Sequence, residues 1–549
     1  MRITTRNILL LSYFLGICIS NASSKSRHSI ESPFRIVIDG GSTGSRLHIF
    51  EFQKDSVTNQ TECIRLGSTR VDEPLTAYAR TQEQIQNAQA VNATLVSNHL
   101  LPLFLYAADI IPTEFHASTF VHYQATAGMR LIPKDEQHLV YDALYEGLHN
   151  NSQFVFSNLQ RENIATLDGE EEALYGAVAA NYLKGVVDVK LHMINKDGIV
   201  EDEALDFDGP LGALDMGGAS MQIVYLPHEE FEDDELDEDA QYHLTRDDTF
   251  DIHKEMMQIS DWNDGDLEEL PILQDRPNRL NGDKFFSTSY LSYGADQFRE
   301  RLWNTWVVEI LASNSDNKVI LNPCSFNGYE SEWKGFTLRG TGDAKKCARE
   351  VNRLIPHHQD TTEDIATMKT VGGVSHPPIR GHFFAMSLFF FTLDCLRELS
   401  GHEKLNDTWP TPKISDLTEA LDMLCTRDWK DDLSKIPGKA HEFTRPAVLP
   451  DRCFESVYMV TLLRDGFGFK PESKDITFTF LVDGNEVEWS MGMAISHFAE
   501  DHLHSTSFRT VDGEIVRSIN QTHSGDNCTS MFCYMSSKFQ IAMGNWRIY

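Results

Sequence analysis

Two short apolar runs, each closed by an aspartate and a glycine pair, organise the hydrophobic and polar positions of this chain. Residues 35–38 form a β-branched run that reads as a buried strand. Asp39 ends it, Gly40, Gly41 and Gly44 alternate with Ser42, Thr43 and Ser45, and residues 47–52 return in apolar–polar alternation. The pattern predicts a hairpin with the loop at its tip. Residues 211–225 repeat the design: apolar run, Asp215, Gly217-Gly218-Ala219, the hydroxyl of Ser220, and a second strand. Apolar spacing of three and four predicts a helix over 81–105, and a strand at 120–124 runs into Ala125-Thr126-Ala127-Gly128-Met129-Arg130. Asp168 caps a predicted helix over 169–183, in which Ala173, Gly176, Ala177 and Ala180 allow close packing. A helix over 296–312 carries Phe298, Leu302, Trp306, Val307 and Ile310 on one face. Further on, a helix at 455–463, a strand at 476–482 and a helix opening at Trp489 are predicted.

Glycines let a backbone approach a ligand with its N–H groups turned inward, an arrangement that suits a phosphate. One such loop is more often only a turn. Two copies, each with an Asp before Gly-Gly, predict facing loops that clamp a polyphosphate and its metal. Residues 125–130 read either as a strand-to-helix turn capped by Thr126 or as a Thr126 hydroxyl and Arg130 guanidinium beside phosphates. Glu170, Glu171 and Glu172 suit the positive end of a helix dipole, while the third, turned into a cleft, is a candidate general base. The aromatic run at 383–391 reads as core, with a slot for a flat ligand as the alternative, and the glycines of 466–469 are expected to leave an aromatic exposed.

At 549 residues the chain exceeds one core's usual capacity, so two domains are expected. Its net charge of −34 argues against nucleic acid or an anionic membrane as partner. An anionic substrate must then be held by local devices. Residues 1–24 read as a secretory signal peptide with cleavage near Ala22, the alternative being an uncleaved N-terminal anchor. No other stretch is apolar for long enough to span a bilayer, so after cleavage no transmembrane anchor is expected. Eight cysteines remain after the signal, an even number that fits disulfides in a secreted chain. Candidate staples are Cys324–Cys347 and Cys425–Cys453, with no CxxC or zinc-type spacing. Sequons at Asn59, Asn92, Asn150, Asn406, Asn520 and Asn527 predict N-glycans. Residues 229–239 carry nine acidic residues in eleven positions and read as a solvated insertion, with calcium capture the lesser alternative.

Taken in order, 38–46, 125–130, 169–172 with Asn181-Tyr182-Leu183, 214–222 and 381–387 resemble the ecto-nucleoside triphosphate diphosphohydrolases, or apyrases. The resemblance implies an α/β fold of the actin-like ATPase superfamily: two RNase H-like domains flanking a nucleotide cleft. It implies domain I at 32–167 plus 476–549, and domain II at 168–475 with an acidic insertion at about 228–270. It implies that Asp39 and Asp215 hold the waters of a Ca²⁺ or Mg²⁺, and that Ser42, Thr43, Gly44, Ser45, Arg46, Thr126, Ala127, Arg130, Gly217, Gly218 and Ala219 surround the phosphates. Glu172 matches the catalytic base, Ser220 and Gln222 the pair that positions the attacking water, and Phe391 and Phe467 the base-binding aromatics. Two positions depart from the family: Ala173 stands where it has Gly, and Ala177 where it has Trp, with Glu171 the fallback base. The implied activity is metal-dependent hydrolysis of nucleoside tri- and diphosphates, by a protein secreted or in the lumen of the secretory pathway. The alternatives are a lumenal UDP/GDP diphosphatase supporting glycosylation and a catalytically silent nucleotide-binding protein; a sugar kinase fits the water-holding pair less well.

Overall fold

The computed structural model describes residues 32–56, 60–194, 210–227, 280, 282–313, 318–355, 369–482 and 484–506. The signal sequence, the acidic insertion, Asn59, Asn520, Asn527, Cys528 and Cys533 lie outside them. By internal contacts the chain up to Glu500 is one compact unit and Asp501–Tyr549 a second, of which the described part is the end of the last helix.

The same sheet is built twice. In the first, β1 (Phe34–Gly41), β2 (Gly44–Lys54) and β3 (Thr61–Val71) form an antiparallel meander, and β4 (Phe120–Ala125) and β5 (Ile164–Thr166) add in parallel beyond β1, giving the order β3-β2-β1-β4-β5. In the second, β6 (Gly212–Met216), β7 (Ser220–Tyr225) and β8 (Phe286–Leu291) form the meander. Three further strands, β9 (Val319–Asn322), β10 (Glu330–Trp333) and β11 (Phe336–Gly340), make a small separate sheet, and β12 (Lys369–Val371) pairs with β13 (Val374–His376). Then β14 (Phe383–Ser387) and β15 (Ile476–Phe478) join β6 in parallel, so the second order is β15-β14-β6-β7-β8. Strand for strand, directions and order repeat those of the first sheet.

Burial explains the strands. All of β7 and the first five residues of β1 are buried, as expected of sheets covered on both faces. Helices Ala93–Ile110 and Lys134–His149 pack on the first sheet through Val96, Leu100, Phe104, Val140 and Leu144. Helix Gly169–Leu183 lies in a layer shared by both sheets, with Val37, Phe50 and Phe52 on one side and Ala213, Val224 and Phe384 on the other. Ala173 and Ala177 are buried there, and a Cβ at Gly492 of helix Trp489–Thr506 would sit 1.8 Å from the Tyr175 carbonyl, so these two helices touch backbone to backbone.

Three expectations are corrected. The helix expected over 81–105 is two, Gln82–Gln86 with a Thr81/Gln84 capping box and Ala93–Ile110 capped by Asn92, because both N-terminal signals are used. The strand expected over 476–482 breaks after Phe478, and Ile476–Phe478 pairs with β14 of the second sheet. The aromatic at 466–469 is not exposed: a π-helical turn, Leu462–Gly466, extends helix Arg452–Thr461 and tucks Phe467 and Phe469 into the core. Both candidate disulfides, Cys324–Cys347 and Cys425–Cys453, are formed, and Cys63 and Cys395 are buried thiols. Asn92, Asn150 and Asn406 are exposed. Among the described residues no helix is long and apolar enough to cross a membrane.

Candidate active site

The topology places the two Asp-Gly-Gly loops at equivalent corners of the two sheets. Asp39 ends the core of β1 opposite Arg46 on β2, and Asp215 ends that of β6 opposite Gln222 on β7. The loops face each other: a Cβ on Gly218 would lie 3.2 Å from Ser42 Oγ, and one on Gly128 would lie 3.0 Å from Ser42 Cα. The loop after β4 therefore closes on the first Gly-rich loop, with the Thr126 N–H donating to the Gly40 carbonyl at 3.0 Å. Thr126 makes no side-chain capping bond, against the plain-cap expectation.

Between the loops a polar chain crosses from one half to the other. Asp168 caps its helix by accepting from the Glu170 N–H at 2.8 Å, and this first turn projects Glu172 inward, where it is buried. Arg130 Nη2 donates to Glu172 Oε2 at 2.5 Å, while its Nε holds the Leu167 carbonyl at 2.9 Å. From the second sheet, Gln222 Nε2 reaches Glu172 Oε2 at 3.0 Å, Ser220 Oγ at 2.7 Å and Ser289 Oγ at 3.2 Å. Alternation along β7 puts Ser220 and Gln222 on one face, so the candidate base and the candidate water-positioning pair meet. Glu171, the fallback, is only half-buried.

Electrostatics mark the centre of this chain. Burial pushes Glu172 up to about 7, against the pull of Arg130. Burial likewise drives Asp39 well above the carboxylate range, reinforced by the charges of Glu172 and Glu488. Asp215 is raised by burial, offset in part by hydrogen bonds from the Ser387 hydroxyl and the Met216 N–H. Asp39 Oδ1 and Arg130 Nη1 are buried with no hydrogen-bond partner. Oxygen ligands alone, crowded together where burial penalises their charge, suit a hard divalent cation, and the bare Arg130 N–H suits a phosphate oxygen.

The remaining candidates divide. Ala127 and Ala219 are buried in the loop bases, and Gly217 is half-buried. Gly44 takes a positive φ of 149° that lets the hairpin tip close beside the Val71 carbonyl. The Thr43 carbonyl and hydroxyl accept from Arg70 Nη2 at 2.8 and 3.0 Å. Ser45 is fully buried and its hydroxyl is engaged with Tyr123 at 2.9 Å, away from the loop tip. Arg46 pairs with Glu488 at 3.3 Å. The two aromatics are not brought together: Phe391 packs with Phe390, Phe443 and Phe480, whereas Phe467 is buried against Tyr290 and His376 and offers no open face. Ser289, Arg70, Ser387 and Glu488 escaped the sequence reading. Glu488 stands immediately before the helix opened by Trp489; burial works to raise it, yet His48 at 2.9 Å and Arg46 hold it well below the ordinary range. Its partners are over 400 residues away, and no local pattern announces them.

The family model of GDA1/CD39 (nucleoside phosphatase) proteins matches residues 25–258 and 249–511. This chain belongs to the GDA1/CD39 family. Relatives include the Golgi apyrase of Saccharomyces cerevisiae, 25% identical over 454 residues, which cover 79% of this chain and 64% of the yeast protein. The ectonucleoside triphosphate diphosphohydrolase 1 of Mus musculus is 23% identical over 525 residues, covering 90% of this chain and 88% of its own. Nucleoside triphosphate hydrolase from Neospora caninum shares the fold with a TM-score of 0.56 at 14% identity, covering 89% of this chain and 97% of that one. Family membership makes this GDA1/CD39 chain a hydrolase, and its doubled sheet is the fold expected of that resemblance.

Proposed function

We propose that this GDA1/CD39-family hydrolase releases the terminal phosphate of nucleoside tri- and diphosphates by direct in-line attack of water. The observation that carries the proposal is the hydrogen-bonded chain Arg130–Glu172–Gln222–Ser220, strung between two facing Asp-Gly-Gly loops. Ser220 Oγ and the Gln222 amide orient the water, and Glu172, held by Arg130 and Gln222, accepts its proton. Arg130 Nη1 and the N–H groups of the two loops meet charge that develops on the transferred phosphoryl oxygens. Asp39 and Asp215 would hold Ca²⁺ or Mg²⁺ through waters, and such an ion neutralises phosphate charge. No residue is required to become phosphorylated.

A second reading is favoured by the Golgi apyrases among the relatives: a lumenal enzyme that clears UDP or GDP after glycosyl transfer. The deciding experiment measures phosphate release by the purified signal-less protein from ATP, ADP, UTP, UDP, GDP and AMP, with Mg²⁺, Ca²⁺ or EDTA. Metal-dependent release from tri- and diphosphates, with AMP untouched, is the expected result and fits a secreted or lumenal apyrase. Release from UDP and GDP alone selects the second reading. Turnover that survives EDTA overturns the assignment of Asp39 and Asp215.

A further inference from the structure

We propose a second divalent-cation site, remote in sequence from the phosphate loops, formed by Asp394, Glu398 and His441. Asp394 and Glu398 stand one turn apart on helix Leu388–Ser400, so both carboxylates share a face. His441 comes from the loop closed by Cys425–Cys453 and is buried, as is Asp394, while Glu398 is exposed and opens the site to solvent. His441 Nε2 lies 3.0 Å from Asp394 Oδ2 and 3.8 Å from Glu398 Oε2, and one ligand atom from each of the three residues falls within 4.8 Å of the others. Ligands of a tetrahedral ion with bonds of about 2.0–2.1 Å stand about 3.4 Å apart, so a modest turn of the exposed Glu398 completes three corners.

The surroundings orient these atoms. Arg397 takes the other oxygens, with Nε on Asp394 Oδ1 at 2.7 Å and Nη2 at 3.4 Å from Glu398 Oε1, leaving Oδ2 and Oε2 toward the imidazole. On the far side His441 Nδ1 meets Thr444 Oγ1 at 2.9 Å, and Arg452 Nε donates to that same oxygen at 3.0 Å. The hydroxyl oxygen can accept from both. In the tautomer with the hydrogen on Nδ1, the Nε2 lone pair faces two carboxylates, and in this form the three residues can bind a cation in place of the 3.0 Å His441–Asp394 contact. Imidazole and carboxylate with an open fourth corner select a transition ion, Zn²⁺ first, over Ca²⁺ or Mg²⁺. Bound there, the ion would tie the middle of the disulfide-closed loop to helix Leu388–Ser400.

The test strips the purified chain with chelator, reloads it with Zn²⁺ in excess Mg²⁺, and counts zinc after gel filtration, with Co²⁺ absorption reporting tetrahedral ligation. Wild type and Asp39→Ala are expected to retain about one zinc per chain and to melt at higher temperature with it. Glu398→Gln, an exposed position that leaves folding intact, and His441→Gln are expected to lose both effects. Thr444→Val should weaken zinc affinity about 10–100-fold. No retained zinc, or retention unchanged in Glu398→Gln, overturns the site. Zinc lost in Asp39→Ala but kept in Glu398→Gln overturns it too and assigns the ion to the phosphate cleft.

Discussion

Glu172 differs from Glu170 and Glu171 by burial and partners, not by position along the chain alone. Its carboxylate is buried and held at about 7; the proposed base would work deprotonated, so kcat/KM should rise with pH through an acid limb near that value. Arg130 favours the charged form; Arg130→Met should therefore move the limb upward, as a pH–rate profile would show. Glu172→Gln should lower kcat by about 10²–10⁴-fold while calorimetry still detects nucleotide binding. Stability carries the opposite sign. A carboxyl raised in the folded state stabilises below its unfolded value of about 4.3, and that contribution is lost as pH rises toward 7. Glu172→Gln should consequently melt higher than wild type at pH 8 and no higher at pH 4.

At the scale of elements, the site depends on how closely three loops approach. Gly128 sits in a four-residue helical turn, Ala127–Arg130, where alanine is conformationally acceptable, but its Cβ would press on the Ser42 backbone at 3.0 Å. Gly128→Ala should push the first phosphate loop aside and cost roughly 10–100-fold in kcat/KM with little change in melting temperature. Comparable losses in both would mean that the contact serves folding and not the site. The disulfide-closed loop is a different case, since it lies outside the phosphate loops. Replacing Cys425 and Cys453 together by Ser should lower unfolding free energy by about 3–4 kcal/mol in denaturant titration, as closure of a loop of this length implies, and leave kcat within about twofold.

At the scale of the molecule, one sheet is built twice, and helices Gly169–Leu183 and Trp489–Thr506 contribute to the apolar layer that joins the copies. Small residues set that layer's thickness. A side chain at Gly492 would meet the Tyr175 backbone and separate the halves, so Gly492→Val should both unfold at lower temperature and lose turnover. The acidic insertion lies outside the described residues, and its composition reads as a solvated segment. Deleting residues 229–239 should leave kcat within about twofold; a loss above tenfold would mean that it acts on the site.

The linear pattern determined the parts that are local. A β-branched run, an aspartate and a glycine pair specify a strand and a tight loop through neighbouring residues, and the repeat of that pattern made the duplicated fold and the Asp39/Asp215 pair legible. The order of motifs around them singled out Glu172, Ser220 and Gln222, which the structure brings into one hydrogen-bonded chain. Tertiary structure alone decided what long-range packing controls. It buried Phe467, turned Ser45 inward to Tyr123, added Ser289 to the Gln222 amide and brought Glu488 to Arg46 and His48. It also set His441 beside Asp394 and Glu398, which no spacing of His or Cys predicts. The physical reason is common to all of these. Strand, turn and cap preferences act over a few residues, whereas side-chain burial and charge pairing depend on which distant segment the folded core brings alongside.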